Sequence, residues 1–308
     1  MAKPNFMCIG AEKAGTTALW FLVRQHPDVF VYERKETLYF SRTWQITPPQ
    51  HYEFTLFKDY AGQRAIGEIS PEYIRAPGAA ASVRGALGPI KIIVCLREPT
   101  RRAFSHYLLC LRLAEEDRSF ADACHWDAGL PPWSGSFLDF RRAYVRGSRY
   151  AYQLDSWRRN FGIENMFFCV LERDMKDAES TTNLLKRVFR FLEVSDTAPI
   201  KLATPNTKGP APRITFASSA GSVDYPSDRR VRFEPGDIVF QTGNGALDRV
   251  LRRPSPELKS FLSRMAGQMT SCLSLEDEKR FRTKYFASVS EETSAIIGED
   301  LNEVWGGI

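Results

Sequence analysis

The stretch Phe6-Met7-Cys8-Ile9-Gly10-Ala11-Glu12-Lys13-Ala14-Gly15-Thr16-Thr17-Ala18-Leu19 decides how the rest of the chain is interpreted. It begins as a short apolar run, passes through a loop bounded by Gly10 and Gly15, and continues as a helix with an apolar face. A strand that enters a helix through such a loop directs backbone N–H groups and the positive helix end toward an anion. Glycines allow the main chain to approach a phosphate closely. The stretch therefore predicts a phosphate-binding loop, and the alternative is an ordinary strand-to-helix turn.

This loop differs from the P-loop of nucleotide triphosphatases at one position. In the pattern G-x-x-x-x-G-K-[ST], a lysine follows the second glycine and the next hydroxyl binds Mg²⁺. Here Thr16 stands in the lysine position, and the lysine of the loop is Lys13. The pattern favours one phosphate with a cation beside it over a magnesium-bound triphosphate.

The size and charge of the chain favour an enzyme that binds anionic ligands. A chain of 308 residues can bury a full core. Its net charge of +5 is not concentrated in one long basic run, so we expect no nucleic-acid partner. There is neither an apolar leader segment nor a run of membrane-spanning length, so we expect a cytoplasmic protein without a membrane span.

The six cysteines show neither a CxxC pair nor the spacing of metal ligands. There is also no H-E-x-x-H motif, so we predict no metal site. Cys8, Cys95 and Cys169 each lie in an apolar, strand-like run and are predicted to be buried, reduced thiols.

Strand-like and helical patterns alternate along much of the chain. Lys91–Leu96 and Met166–Leu171 are continuous apolar runs of the kind that parallel sheets bury on both faces. Helical patterns follow them, which predicts an α/β, P-loop-like, three-layer fold in which helices flank a central parallel sheet of about five strands. We expect a single domain over residues 1–308.

The second informative stretch is Leu96-Arg97-Glu98-Pro99-Thr100-Arg101-Arg102-Ala103-Phe104-Ser105-His106-Tyr107. It sets Arg97 at the carboxyl end of a buried strand and Ser105 on the helix that follows. Ligands of open α/β sheets bind at the carboxyl ends of the strands. A guanidinium and a hydroxyl at that edge are suited to holding a second phosphate.

These two stretches resemble the cofactor motifs of sulfotransferases that use 3′-phosphoadenosine 5′-phosphosulfate (PAPS). Lys13-x-Gly15-Thr16-Thr17 resembles their 5′-phosphosulfate loop, and the Arg97 stretch resembles their 3′-phosphate motif. Further along, Asn206-Thr207-Lys208-Gly209-Pro210-x-Pro212-Arg213 resembles the basic loop that closes over PAPS. The resemblance implies PAPS as the donor, no metal, and cofactor contacts from Lys13, Ala14, Gly15, Thr16, Thr17, Arg97, Ser105, Lys208, Gly209 and Arg213.

A third stretch, Gly67-Glu68-Ile69-Ser70-Pro71-Glu72-Tyr73, resembles a segment of the heparan-sulfate-sulfotransferase-like branch, in which the glutamate is the proposed base. A carboxylate at a strand end is suited to taking a proton from an acceptor hydroxyl. The alternative for Glu68 is a structural carboxylate that caps a neighbouring helix. The residue that follows this glutamate in animal enzymes is usually lysine, whereas here it is Ile69. A contact between the acceptor and this position is therefore not carried over from the family.

Other segments are candidates for binding the acceptor. Lys35-Glu36-x-x-Tyr39-Phe40 is similar to a Lys-Glu-x-x-Phe-Phe segment of the same branch, and the alternative is a solvated turn followed by core aromatics. Residues from about 214 to 256 are rich in Pro, Gly, Ser and Arg with few regular elements, and we expect an insertion or lid over the acceptor site. A hairpin across Val231–Gln241 is one element expected there. The candidate acceptor contacts are Lys35, Tyr39, Phe40, His51 and Tyr73.

The resemblance implies transfer of a sulfuryl group from PAPS to a hydroxyl of a glycan or small-molecule acceptor, which leaves adenosine 3′,5′-bisphosphate. Lys13 and Glu68 would be the catalytic residues. One alternative is a P-loop kinase of a small metabolite, against which the displaced lysine and the lack of a clear magnesium-binding aspartate count. Another is a catalytically idle nucleotide-binding module, against which the joint presence of Lys13 and Glu68 counts. The acceptor and the oligomeric state are left open.

Overall fold

The computed structural model describes residues 3–33, 35–43, 48, 52, 57–113, 115–132, 140–202, 213–216, 221–224, 230–233, 238–241, 247–251 and 273–306. The chain divides into two compact units. The first comprises Met1–Glu98, Arg149–Asn206 and Ser288–Ile308, and the second comprises Pro99–Ser148 and Thr207–Ala287. A single domain over the whole chain stays a prediction.

Five strands form a parallel sheet in the first unit, in the order β2-β3-β1-β4-β5. Residues Phe6 to Ile9 of the central strand are fully buried, as the continuous apolar run predicts. The chain leaves β1 toward one side of the sheet and later returns to its other side, so the carboxyl end of β1 is a topological switch point, where such sheets bind ligands. The strands are β1 (Phe6–Gly10), β2 (Val29–Val31), β3 (Ala65–Ile69), β4 (Lys91–Leu96) and β5 (Met166–Val170).

Helices flank this sheet, which confirms the predicted fold class. The described helices are α1 (Thr16–Val23), α2 (Ala79–Leu87), α3 (Pro99–Arg112), α4 (Phe120–Ala128), α5 (Tyr150–Phe161), α6 (Leu171–Asp174), α7 (Ala178–Phe191), α8 (Leu275–Tyr285), α9 (Val289–Ile297) and α10 (Asn302–Trp305). In the first unit, α1 packs against β2 and α7 packs against β5. Helix α5 packs against both α2 and α9. None of the helices in the described part of the chain has the length and apolar character that a bilayer crossing requires.

The second unit contains α3, α4 and α8, and α3 packs against both α4 and α8. An aromatic cluster joins these helices, in which Phe120 lies 5.1 Å from Phe104 and 4.7 Å from Phe281 between ring centroids. The unit also contains five antiparallel strands: β6 (Arg213–Phe216), β7 (Gly221–Asp224), β8 (Arg230–Phe233), β9 (Ile238–Gln241) and β10 (Leu247–Leu251).

These strands correct the expectation of few regular elements between residues 214 and 256. The expected hairpin across Val231–Gln241 was also wrong, because β8 and β9 pair in different sheets. Strand β8 pairs with β7 in a register that sets Arg230 opposite Asp224, and β9 lies between β6 and β10. Pro235-Gly236-Asp237, around which this hairpin was expected, lies outside the described residues. The partners of β8 and β9 are set by pairing beyond the local sequence.

The three cysteines that lie in the strands are buried and form no disulfide, as predicted. Cys8, Cys95 and Cys169 are buried free thiols. Cys95 and Cys169 are register partners in β4 and β5, so these thiols belong to the core of the sheet.

Candidate active site

The loop from Gly10 to Gly15 joins β1 to α1 and needs glycine at both ends. A Cβ on Gly10 would lie 2.6 Å from Ile74 Cγ2 and 2.7 Å from the carbonyl oxygen of Pro71. Gly15 has a left-handed φ of 89° immediately before the first helical residue, and a Cβ there would lie 2.8 Å from Leu171 Cδ1. The sequence therefore folds into a loop that ends at a helix N-terminus, as predicted.

The start of α1 offers hydrogen-bond donors. The first N–H groups of a helix have no partner within the helix. No described residue accepts a hydrogen bond from the main-chain N–H of Gly15, Thr16 or Thr17. Thr16 is buried and Thr17 is half-buried, whereas Ala14 packs in the core. Together with the positive helix end, these groups suit an anion.

Two cationic residues contact each other at this loop, through the main chain of one of them. Lys13, half-buried and with a φ of 68°, lies at its centre. Arg97 follows β4 directly, and its Nη1 donates a hydrogen bond of 3.1 Å to the carbonyl oxygen of Lys13. The buried Nε of Arg97 makes no hydrogen bond to any described residue and lies 3.9 Å from Glu172 Oε1. A buried donor without a hydrogen-bond acceptor, close to the loop before a helix N-terminus, fits an anionic ligand.

Glu172 is the carboxylate that faces Arg97. It accepts hydrogen bonds from the Glu98 N–H at 3.1 Å and from Trp305 Nε1 at 3.2 Å. Burial raises the pKa of Glu172, while these two donors and the charge of Arg97 act in the opposite direction. These two donors therefore hold Glu172 in place, and its charge lies 3.9 Å from Arg97 Nε.

Glu68, near the end of β3, is only 1% exposed and sits among four hydroxyl groups. Its Oε1 accepts hydrogen bonds from the Tyr52 hydroxyl at 2.8 Å and the Tyr73 hydroxyl at 3.2 Å. Its Oε2 accepts from Ser70 Oγ at 3.1 Å and from Thr37 Oγ1. These partners are hydroxyl groups and not the N–H groups of a helix start, so the arrangement differs from the helix cap considered as the alternative.

The titration of Glu68 follows from this enclosure. Burial raises the pKa of Glu68, and the hydrogen bonds from the four hydroxyls oppose that rise only in part. Burial also raises the pKa values of Tyr52 and Tyr73 well above their usual range, and the nearby Glu68 charge adds to the rise. The two tyrosines therefore stay protonated and remain donors to the carboxylate over the physiological pH range.

The aromatic candidates pack behind Glu68. Tyr39 and Phe40 are nearly fully buried. The ring of Tyr39 stacks on Tyr52 with 4.5 Å between centroids, and Phe40 meets Tyr73 edge-on at 5.9 Å. Lys35 forms an ion pair with its neighbour Glu36. The aromatic rings thus support the hydroxyl groups around Glu68, and a contact with an acceptor stays a prediction for all four candidates, Lys35, Tyr39, Phe40 and Tyr73.

Two residues of this cluster were not predicted as site residues. Thr37 lies inside the stretch Lys35–Phe40, but nothing in the sequence pointed to its hydroxyl. Tyr52 lies in a segment without a motif, so no sequence signal was available for it. Both reach Glu68 only because the fold brings separate segments together.

Several other predicted residues cannot be joined to the site. Ser105 lies half-buried on α3 in the second unit, whereas Arg97 lies in the first, and their shared role stays a prediction. His51, Lys208 and Gly209 lie outside the described residues, and only the main chain of Arg213 is described, at the start of β6. The described residues contain no group of three or more His, Cys, Asp or Glu side chains that could bind a metal ion.

Comparisons with known proteins show that the chain is similar to sulfotransferases. The chain is 28% identical over 193 residues to heparan sulfate glucosamine 3-O-sulfotransferase 3B1 of Mus musculus, which covers 61% of this chain and 46% of that protein. It is 27% identical over 273 residues to the bifunctional heparan sulfate N-deacetylase/N-sulfotransferase 1 of Caenorhabditis briggsae, which covers 84% of this chain and 31% of that protein. The chain spans less than half the length of the curated relatives it matches.

Among solved structures, the fold is similar to that of a sulfotransferase from Alicyclobacillus acidocaldarius. The TM-score is 0.63 at 22% sequence identity, over 99% of this chain and 100% of that chain. This likeness concerns the fold. No model of a protein family matches the chain.

Proposed function

We propose that this chain, a heparan-sulfate-sulfotransferase-like member of the sulfotransferase family, transfers a sulfuryl group from PAPS to a hydroxyl group of an acceptor. The observation that carries the proposal is the hydrogen bond from Arg97 to the carbonyl of Lys13. It brings the Arg97 guanidinium to the main chain of the loop that carries Lys13. The neighbouring strand β3 ends at the same edge of the sheet, one residue after Glu68.

The residues of the loop fit an anionic donor. Unpartnered N–H groups at Gly15, Thr16 and Thr17 and the unpartnered Nε of Arg97 are donors without acceptors among the described residues. When bound, PAPS would supply the sulfuryl group and a phosphate leaving group. In the proposed site, Ala14 to Thr17 hold the 5′ end, Arg97 and Ser105 hold the 3′-phosphate, and Lys208, Gly209 and Arg213 close over the donor.

Lys13 is the residue that stabilises the departing phosphate. Negative charge grows on the leaving group during the transfer, and a fixed cation beside it stabilises the transition state more than the ground state. Lys13 thereby supplies the counter-charge that Mg²⁺ supplies in phosphoryl transfer.

Glu68 is the proposed general base. Its pKa is raised by burial, which makes its carboxylate a better proton acceptor than an exposed glutamate. Because each carboxylate oxygen already accepts two hydrogen bonds, an acceptor hydroxyl reaches Glu68 by taking the place of one of the four donors. The remaining hydroxyls hold the carboxylate in position while the proton moves.

The acceptor is proposed as a hydroxyl-bearing glycan or small molecule. The relatives above are named for heparan sulfate, and this chain shares only part of their length. Carbohydrate hydroxyls are therefore the first acceptors to examine, followed by hydroxylated small molecules.

The proposal is tested by transfer of ³⁵S from labelled PAPS to a panel of neutral and sulfated oligosaccharides and hydroxylated small molecules. Glu68→Gln and Lys13→Ala serve as matched inactive variants. We expect label in at least one acceptor with the wild-type protein, and none above background with Glu68→Gln. Equal transfer by Glu68→Gln would rule out its role as base. Transfer of ³²P from γ-labelled ATP with Mg²⁺, and no transfer of ³⁵S, would replace the proposal with a kinase.

A further inference from the structure

The loop proposed to bind the donor carries a carboxylate directly beside its lysine. Glu12 precedes Lys13, and its side chain is only 11% exposed. Because little water screens a charge in such a place, an uncompensated carboxylate would oppose any anion bound to the loop.

Arg75 compensates this charge. Its Nη2 donates a hydrogen bond to Glu12 Oε2, and the arginine side chain is 4% exposed. Arg75 ends the short helical turn Tyr73–Arg75, which follows the Glu68 segment. The ion pair therefore connects the segment of the proposed base to the loop of the proposed donor.

The same turn is fixed to the loop through the main chain. The Ser70 N–H donates a hydrogen bond of 3.0 Å to the carbonyl oxygen of Cys8. Gly10 lies against the turn so closely that a Cβ would meet Ile74 Cγ2 at 2.6 Å. The turn that carries Arg75 is thus fixed against the strand and loop that carry Glu12.

We propose that Arg75 is a positioning residue for donor binding, which cancels the charge of Glu12 and holds that carboxylate away from the anion. This inference rests on the proposed donor-binding role of the loop. It assigns to the ion pair a specific effect on anion affinity, in addition to its effect on stability.

A second ion pair on the same segment provides a matched control. Arg42 Nε donates to Glu72 Oε1 at 3.0 Å and Arg42 Nη2 donates to Glu72 Oε2 at 2.5 Å. The Glu72 side chain is 3% exposed and the Arg42 side chain is 30% exposed, so this pair is only partly buried. Neither of its members belongs to the loop between Gly10 and Gly15, so Arg42→Gln removes an arginine–glutamate pair without changing the charge of the loop.

The test is isothermal titration calorimetry with adenosine 3′,5′-bisphosphate on the wild-type protein and the variants Arg75→Gln, Glu12→Gln, Glu12→Gln/Arg75→Gln and Arg42→Gln. Arg75→Gln removes the positive charge beside the Glu12 carboxylate and makes the surroundings of the loop more negative, so we expect it to weaken binding by about tenfold or more. Removing both charges restores neutrality, so the double variant should bind within about threefold of the wild type. Glu12→Gln should bind at least as tightly as the wild type, and Arg42→Gln should leave the affinity unchanged.

The outcomes separate this inference from the proposed function. Bisphosphate binding by the wild type with unchanged affinity in Arg75→Gln would overturn the role of Arg75 alone. A double variant that folds but binds as weakly as Arg75→Gln would do the same, because charge compensation would then not be the cause. If Arg75→Gln does not fold, the role of Arg75 is overturned by a folded double variant that binds more than about threefold more weakly than the wild type. Weaker binding by Glu12→Gln than by the wild type would overturn it as well. A wild-type protein that does not bind the bisphosphate would instead refute the proposed function, on which the inference depends.

Discussion

The guanidinium of Arg97 lies 3.1 Å from the carbonyl oxygen of Lys13 and donates a hydrogen bond to it through Nη1. The two residues stand 84 positions apart in the chain, one after β4 and one in the loop after β1. Because β1 and β4 are parallel neighbours, their carboxyl ends bring these residues together. The Arg97 side chain is therefore held against the main chain of the loop that carries Lys13.

We expect Arg97→Ala to weaken binding of adenosine 3′,5′-bisphosphate. A hydrogen bond to a charged group contributes about 1.5–3 kcal/mol, which corresponds to roughly a tenfold to hundredfold loss in affinity. Titration calorimetry measures the change. Arg84→Ala, which removes an exposed arginine of α2, is the control and should bind as the wild type does. Equal affinity in Arg97→Ala would show that this guanidinium does not contact the ligand.

Lys13→Ala should lower kcat far more than it changes the KM for the acceptor. The lysine acts on charge that develops in the transition state, and removal of one such group costs on the order of 10²–10³ in rate. Steady-state kinetics at varied acceptor concentration measure both constants. A rise in KM with kcat unchanged would assign Lys13 to ground-state binding only.

Glu68 should make the stability of the protein depend on pH. Burial raises the pKa of Glu68 in the folded state, so between the ordinary glutamate value of about 4.3 and that raised value the folded state holds more protons than the unfolded state. The contribution of Glu68 to the free energy of unfolding is therefore fully present below the pKa that Glu68 has in the unfolded state. It is lost as the pH rises through the pKa that Glu68 has in the folded state. Glu68→Gln has no such group, so the stability of this variant relative to the wild type should increase with pH across that window.

Urea unfolding of the wild type and Glu68→Gln at a series of pH values measures this difference. Subtracting the two curves removes the contribution of Glu172, whose pKa is also raised by burial. A difference in unfolding free energy that does not change with pH would show that Glu68 titrates normally. In the proposed mechanism the same titration gives a rise in kcat/KM with pH, with its midpoint above the ordinary glutamate value.

Gly10→Ala should destabilise the protein, whereas Gly85→Ala should stabilise it. A Cβ at Gly10 would lie within 2.7 Å of the Pro71 carbonyl oxygen, a main-chain atom that cannot move aside easily, and such overpacking costs about 1–3 kcal/mol. Gly85 lies inside α2, where a Cβ meets nothing within 4 Å, so alanine should add about 0.5–1 kcal/mol through its helix propensity. Urea unfolding at one pH compares the two variants. A Gly10→Ala protein as stable as Gly85→Ala would contradict the close packing of the loop against Pro71.

The parts of the fold that follow from local pattern were predictable from the sequence. The strand Lys91–Leu96 was predicted with its observed bounds, since a continuous apolar, β-branched run has few other structures open to it. The loop from Gly10 to Gly15 was predictable for a similar reason, because a glycine in the left-handed region before a helix is a local requirement.

Contacts between residues that lie far apart in the chain were not predictable from the sequence. Thr37 and Tyr52 donate to Glu68 across 31 and 16 residues of chain, and no local pattern specifies those contacts. The hairpin expected across Val231–Gln241 was wrong for the same reason, because β8 and β9 each found partners outside that segment. The ion pair of Glu12 with Arg75 also joins two segments that the sequence alone leaves unrelated.

The most direct test of the central claim is thermal unfolding of the wild-type protein with adenosine 3′,5′-bisphosphate, set against ATP with Mg²⁺. A ligand that binds only the folded state raises Tm by mass action. The account predicts a rise in Tm with the bisphosphate, and a smaller rise in Arg97→Ala at the same ligand concentration. A rise with ATP and Mg²⁺ and none with the bisphosphate would contradict it, and would mean that the loop from Gly10 to Gly15 serves a kinase.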